Sequence, residues 1–233
     1  RDTIDINQQD KNGYTVFMLA GRYNTNVKVI QYLYNSLKNI IDINKRDKYG
    51  RTVFMLATWK NTKVYVVQYL YATFKDTIDI NKQDNNGNTA LMLAVQDNTF
   101  EVIQFLCDTF KNTIDINKQN KHGKTALMLA AQYNSNEKLI QYLYNTFKET
   151  IDTKKQDNNG NTAFMLAVQY NTNKLVLSAV LYHTSKDTID IHTVFLLASK
   201  KTDPNVLRLI STTFRGLIDI NKQNKDGHTA LMI

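Results

Sequence analysis

The sequence predicts an all-α solenoid of stacked helix–turn–helix repeats that carry hairpin-like fingers. Three observations predict it. The segment Asp84-Asn85-Asn86-Gly87-Asn88-Thr89-Ala90-Leu91-Met92-Leu93-Ala94 recurs, and its glycine slot is filled by Gly13, Gly50, Gly87, Gly123 and Gly160 at spacings of 37, 37, 36 and 37 residues, and again by Gly227. All six methionines (Met18, Met55, Met92, Met128, Met165 and Met232) fall in one slot of that unit. Helix-period apolar residues follow each copy. A fixed period of roughly 20–50 residues marks units that bury their apolar faces only against one another.

The elements of a unit follow in order. Ile78-Asp79-Ile80-Asn81 opens it, and a polar stretch leads to Asp84 and Gly87. Asp at the first position of a turn accepts backbone N–H groups, and Gly at the fourth tolerates positive φ, so this stretch reads as a tight finger. Thr89 then places a hydroxyl to cap a first helix from Ala90 to about Gln96, with Leu91, Leu93 and Ala94 inward. The methionine column reads as flexible filler of the inter-helix core. Asn98 fits a left-handed helix end, and Thr99 caps a second helix. Val102, Ile103, Leu106 and Phe110 make one apolar face of that helix, which Lys111 closes. The same junction reads Asn24-Thr25, Asn61-Thr62, Asn134-Ser135, Asn171-Thr172 and Thr202-Asp203-Pro204. Asp followed by Pro is an independent helix-start signal.

Gly87-Asn88-Thr89-Ala90-Leu91-Met92-Leu93-Ala94, the helix around Glu101 to Leu106 and the Ile-Asp-Ile-Asn junction together resemble the ankyrin repeat. The resemblance covers essentially the whole chain, 1–233, as one array. Its units lie near 5–41, 42–78, 79–114, 115–151, 152–189 and 190–218, with a partial unit at 219–233. Three departures stand out. The histidine of the family's Thr-Pro-Leu-His is replaced by the methionine column. The period exceeds the family's usual value of about 33 residues, with the extra residues near Asp108 to Lys111, read as an added turn of the second helix. Finally, Asp79 to Thr89 spans ten residues where Asp190 to Thr193 spans three, so seven finger residues are absent near Ile191-His192, either excised from the repeat or missing from this sequence. Neither end carries the polar outer face that closes a solenoid, so the expectation is a piece of a longer array.

Composition and chemistry bound the function. Hydrophobic residues are 42% and charged residues 21%, and no run approaches the eighteen apolar residues of a membrane span. The single cysteine, Cys107, excludes a disulfide framework and a cysteine zinc site. The four histidines (His122, His183, His192 and His228) have no metal-ligand spacing, and His122 and His228 lie in distant units. The repeated carboxylates Asp10, Asp47, Asp84 and Asp157 occupy turn slots. The expectation is therefore no enzyme, no cofactor, no metal and no membrane contact.

The resemblance implies a protein–protein interaction scaffold that binds on a concave face of fingers and first helices. Such arrays recur in giant viruses, poxviruses and intracellular bacteria as host-directed adaptors. An intracellular setting follows, in host cytoplasm if the array comes from a virus or an effector. Framework slots hardly vary between units, whereas fingertip and helix-end slots do. The first two units gather Tyr14, Arg22, Tyr23, Arg46, Tyr49, Arg51, the only tryptophan Trp59, and Lys60 there. Trp, Tyr and Arg are the residues enriched at interface hot spots, so these eight are the candidate partner-binding residues. The alternative is polyanion or nucleic-acid binding through basic fingers, given a net charge of +8 and lysines such as Lys45, Lys48, Lys82 and Lys121. No nucleic-acid reading motif accompanies that charge.

Overall fold

The computed structural model describes residues 5–38, 40–97, 99–171, 173–183, 191–200, 204–219, 221–223, 227 and 229. Among them the regular structure is helical: twelve α-helices, one 3-10 turn and no strand. The expectations placed on Asn98, Thr172, Asp190, Thr202, Asp203, His228 and Met232 fall outside the described residues. The chain forms two compact units, Arg1–Lys121 and His122–Ile233.

The first unit holds three helix pairs: α1 (Val16–Tyr23) with α2 (Val27–Leu37), α3 (Val53–Lys60) with α4 (Val64–Phe74), and α5 (Ala90–Asp97) with α6 (Phe100–Phe110). First helices form one layer, α1 on α3 and α3 on α5, and second helices the other, α2 on α4 and α4 on α6. First helices have eight residues and these second helices eleven, and α6 runs through the Asp108 to Phe110 segment read as an added turn.

The second unit repeats the plan with α7 (Ala126–Tyr133), α8 (Glu137–Thr146), α9 (Ala163–Tyr170), α10 (Lys174–His183), α11 (Ile191–Ser199) and α12 (Pro204–Thr213). Its inner layer runs α7 on α9 and α9 on α11, so stacking continues across the shortened repeat. There α11 starts at Ile191, two residues before the expected Thr193 cap. A finger enters α3 through an extended Thr (Thr52 φ −83°, ψ 169°), whereas Ile191 to Thr193 already belong to α11. Pro204 opens α12 as the first helical residue.

The methionine column is buried: Met18, Met55, Met92, Met128 and Met165 are at most 6% exposed. It is also more than filler. The cap hydroxyls of Thr89 and Thr125 accept from Met92 and Met128 N–H at 3.3 Å, while the cap N–H groups donate back to the Met92 and Met128 sulfurs at 3.5 Å. In these two repeats this is a capping box in which a thioether stands where Glu or Gln usually does.

Two expectations at the helix–helix junction are corrected. The Asn that ends each first helix is extended, not left-handed: φ is −80° at Asn24, −85° at Asn61, −94° at Asn134 and −90° at Asn171. Its side chain explains its presence. Buried Asn61 donates from Nδ2 to Gly21 O and Asn24 O of the preceding repeat, both at 2.9 Å, and Asn171 does the same to Ala131 O and Asn134 O. The N-cap of α2 and α8 then falls one residue beyond the expected Thr25 and Ser135, on Asn26 and Asn136, whose side chains accept from Lys28 N and Lys138 N at 3.0 Å. Thr99 does stand at the cap position of α6.

Four fingers are closed by an aspartate, Asp10, Asp47, Asp84 or Asp157, where the fourth finger has Asn120. Asp84 Oδ1 accepts from Asn86 N and Asn88 N, and Asp84 O from Gly87 N at φ +80°. Neighbouring fingers join by single backbone bonds, Lys48 N to Asn12 O, Asn85 N to Tyr49 O and Lys121 N to Asn86 O, at 2.8–3.0 Å. In the second unit Asn158 N bonds His122 O at 3.1 Å. Asn81 ties its loop to the next, donating to Thr113 O and accepting from Asp115 N. The apolar face of the first repeat is open: Val16 is 51% exposed and Leu19 36%, where their counterparts Val53 and Leu56 are 3% and 0%.

Candidate functional site

Seven of the eight candidate residues converge in the first unit. Tyr14 and Arg51 follow the glycines of successive fingers, Tyr49 sits at a fingertip, and Arg22-Tyr23 and Trp59-Lys60 end α1 and α3. They meet because the 37-residue register brings fingertip and helix-end slots of adjacent repeats side by side.

Arg51 is the anchor. It is buried over Asp47, which is buried too. Its Nη2 lies 2.6 Å and its Nε 2.8 Å from Asp47 Oδ2, and its backbone N–H donates to Oδ1 at 2.8 Å. Tyr14 is likewise buried. Its phenol oxygen accepts from Arg51 Nη2 at 3.1 Å and from Arg22 Nη1. The guanidiniums of Arg22 and Arg51 lie 5.1 and 4.6 Å from the Trp59 ring, and Lys60 Nζ lies 4.4 Å from it. Arg51 also faces Tyr49 at 4.6 Å, and Arg22 faces Tyr23 at 4.7 Å. Each such contact contributes about 0.5–2 kcal/mol, more as it is desolvated. The indole surface is thus already occupied by the chain's own cations.

Arg46 does not join the group. Its Nε donates to Gly50 O at 2.5 Å and its Nη2 to Gln83 O at 2.8 Å. Gln9 and Gln83 make the same pair of bonds, Gln83 to Gly87 O and Gln119 O. Arg46 therefore stands in a glutamine slot of the ladder between fingers, apart from the other seven candidates.

The third repeat, bland in sequence, completes the site. Asp97 at the end of α5 accepts from Trp59 Nε1 at 2.6 Å and pairs with Lys60 at 3.1 Å. Asp84, Asn86, Asn88, Leu93 and Gln96 line one wall of a cleft of about 440 Å³, with Tyr14, Arg22, Tyr49, Arg51 and Trp59 on the other. The signal that points to Asp97 is register: it lies 37 residues beyond Lys60 in the same slot. A cavity of about 30 Å³ beneath Ile43, Phe54 and Phe74 is a water-sized packing gap.

Cys107 and His183 are held in packed surroundings. Cys107 is fully buried, and burial, with a smaller contribution from neighbouring Asp108, pushes its thiol up to about 12. It should react with a disulfide reagent at neutral pH only as fast as the fold opens, since the thiolate is the nucleophile. Rapid labelling under native conditions would contradict this. His183 stacks on Tyr144 at 4.4 Å, and burial holds it below the usual imidazole range. Among the described residues no group of three His, Cys, Asp or Glu is placed to hold a metal, and no helix is long and apolar enough to cross a membrane.

A family model described as ankyrin repeats matches in three copies, over residues 3–84, 65–157 and 110–192. The chain belongs to the ankyrin repeat family. The all-α solenoid class is that of the family, whose repeats generally mediate protein–protein interaction and are typically non-catalytic. Among solved structures this ankyrin chain is similar to a chain in "Bd0816 Predatory Endopeptidase from Bdellovibrio bacteriovorus in complex with immunity protein Bd3460". The likeness has a TM-score of 0.61 at 24% identity and covers 78% of the ankyrin chain and 88% of the other. No curated protein matches.

Proposed function

We propose that this protein is a non-catalytic scaffold that binds a protein partner through the face formed by Tyr49, Trp59, Tyr23, Arg22 and Lys60 over the Arg51–Asp47 anchor. One observation carries the reading: Trp59, partly exposed, is held by two guanidiniums, an ammonium and Asp97 at the wall of an open cleft. Aromatic and arginine side chains fixed in advance lose little freedom on binding. Tyr49 and Tyr23 add apolar area, at 43% and 61% exposed. The solved complex of the similar chain, with its endopeptidase and immunity protein, is consistent with a protein partner. An intracellular setting belongs to the same proposal. The polyanion alternative loses Arg46 to the finger ladder and Arg51 to Asp47.

The test is affinity capture with single variants. Truncating a hot-spot residue costs on the order of 2 kcal/mol, so Trp59→Ala and Tyr49→Ala should each weaken capture roughly thirtyfold. Tyr170→Ala removes a comparably exposed tyrosine at the end of α9 and should leave capture unchanged. Equal losses from Tyr170→Ala, or none from Tyr49→Ala and Trp59→Ala, would remove this face from the reading.

A further inference from the structure

We infer that the cleft takes an acidic side chain of a protein partner, its carboxylate seated among Arg22, Arg51 and Tyr14. The inference rests on the reading that this face binds a partner, and it adds the chemistry of what enters. The cleft holds hydrogen-bond donors without acceptors among the described residues. Arg22 carries five N–H donors, and the structure uses one set, at Nη1, toward the Tyr14 phenol oxygen. Its Nε is buried with no hydrogen-bond partner, and no carboxylate pairs with it among the described residues. The Tyr14 oxygen accepts from both Arg22 and Arg51, which leaves its own O–H without an acceptor among the described residues. Arg51 bonds through Nε and Nη2 and makes no bond through Nη1.

A carboxylate accepts up to about four hydrogen bonds and matches a guanidinium edge. A cationic ligand is disfavoured because Arg22, Arg51 and Lys60 already face the indole. A nucleic-acid strand is disfavoured because it brings a charge about every 3.4 Å. Beyond the first phosphate it would meet the carboxylates of Asp84, which lines the cleft, and Asp97, which is bonded to Trp59. A single carboxylate at the end of a side chain enters between them.

The single tryptophan provides the readout, because its indole N–H gives one resonance in a ¹H–¹⁵N spectrum of the full chain. A capped oligoglutamate peptide should shift that resonance saturably. Arg22→Gln should weaken the response about tenfold, the loss expected of one charge-assisted hydrogen bond. Arg51→Asn should weaken it as well. That variant keeps the fold, since Asn88 and Asn161 hold the finger aspartate in other repeats. The inference is overturned if oligoglutamate leaves the resonance unmoved. It is also overturned if oligolysine or oligothymidylate moves the resonance instead, if inorganic phosphate at equal ionic strength displaces the peptide, or if Arg22→Gln binds as tightly as the parent. Trp59→Ala capture separates the two readings. Lost capture with no response to oligoglutamate keeps the binding face and overturns its acidic occupant. An oligoglutamate response with capture unaffected supports the anion-accepting cleft and moves the partner face elsewhere.

Discussion

Asp47→Ala is expected to lower the stability of the first unit by about 3–5 kcal/mol, the usual cost of removing one partner of a buried ion pair. Both members are buried, Asp47 at 4% and Arg51 at 6% exposed. The change strips three roles at once. Asp47 Oδ1 accepts from Tyr49 N at 2.9 Å and Arg51 N at 2.8 Å, and Oδ2 pairs with the Arg51 guanidinium. Alanine leaves the turn N–H groups unmatched and the guanidinium buried without its counter-charge. Arg51→Asn should be far milder, at about 1 kcal/mol or less, within the range of ordinary substitutions. The protein already uses that arrangement: Asn161 Nδ2 lies 3.2 Å from Asp157 Oδ1, and Asn88 Nδ2 lies 3.4 Å from Asp84 Oδ2. Urea unfolding followed by circular dichroism reads both variants. The pair is not an anchor if Asp47→Ala unfolds at the same midpoint as Arg51→Asn. Because Asp47 holds Arg51 beneath Trp59, Asp47→Ala should also weaken partner capture.

Gly87→Ala should be strongly destabilising, and Gly160→Ala is its control. Both glycines have φ +80°, where an L side chain costs roughly 1–2 kcal/mol. A Cβ on Gly87 would stand 2.8 Å from Lys121 N and 2.9 Å from Asn120 Cα, backbone atoms of the next finger, which cannot swing aside as a side chain can. That adds an overpacking cost of about 1–3 kcal/mol. A Cβ on Gly160 meets nothing within 4 Å. At roughly 2–4 °C per kcal/mol for a chain of this size, the melting temperature of Gly87→Ala should lie clearly below that of Gly160→Ala. Equal losses would mean that fingers are not packed on one another, and that the single backbone bonds between them carry the row.

Much of this fold is legible residue by residue. The period, the Asp-x-x-Gly turns, the Thr caps and the inward methionines are patterns within one repeat, set by backbone geometry and side-chain chemistry over a few residues. Each recurs often enough to be read against the other copies. Even the site was partly visible, because Tyr49, Trp59 and Arg22 differ from their counterparts in slots that otherwise tolerate change.

The remainder was settled between repeats, where sequence distance hides contact. Asn61 reads as a helix terminator from its neighbours alone, yet it is conserved in its slot by carbonyls 37 and 40 residues away. Arg46 and Arg51 are both finger arginines in sequence. One bonds the carbonyls of the next finger and the other sinks onto Asp47, and only the finger-on-finger register separates the two. Asp97 looks like an ordinary helix end, but that register sets its carboxylate against the Trp59 indole N–H. Local patterning by itself determined the repeat and its elements, because their energies are short-range. Tertiary structure decided which polar side chains are consumed by stacking and which remain to meet a partner, because hydrogen-bond satisfaction in a stacked array is counted across neighbours.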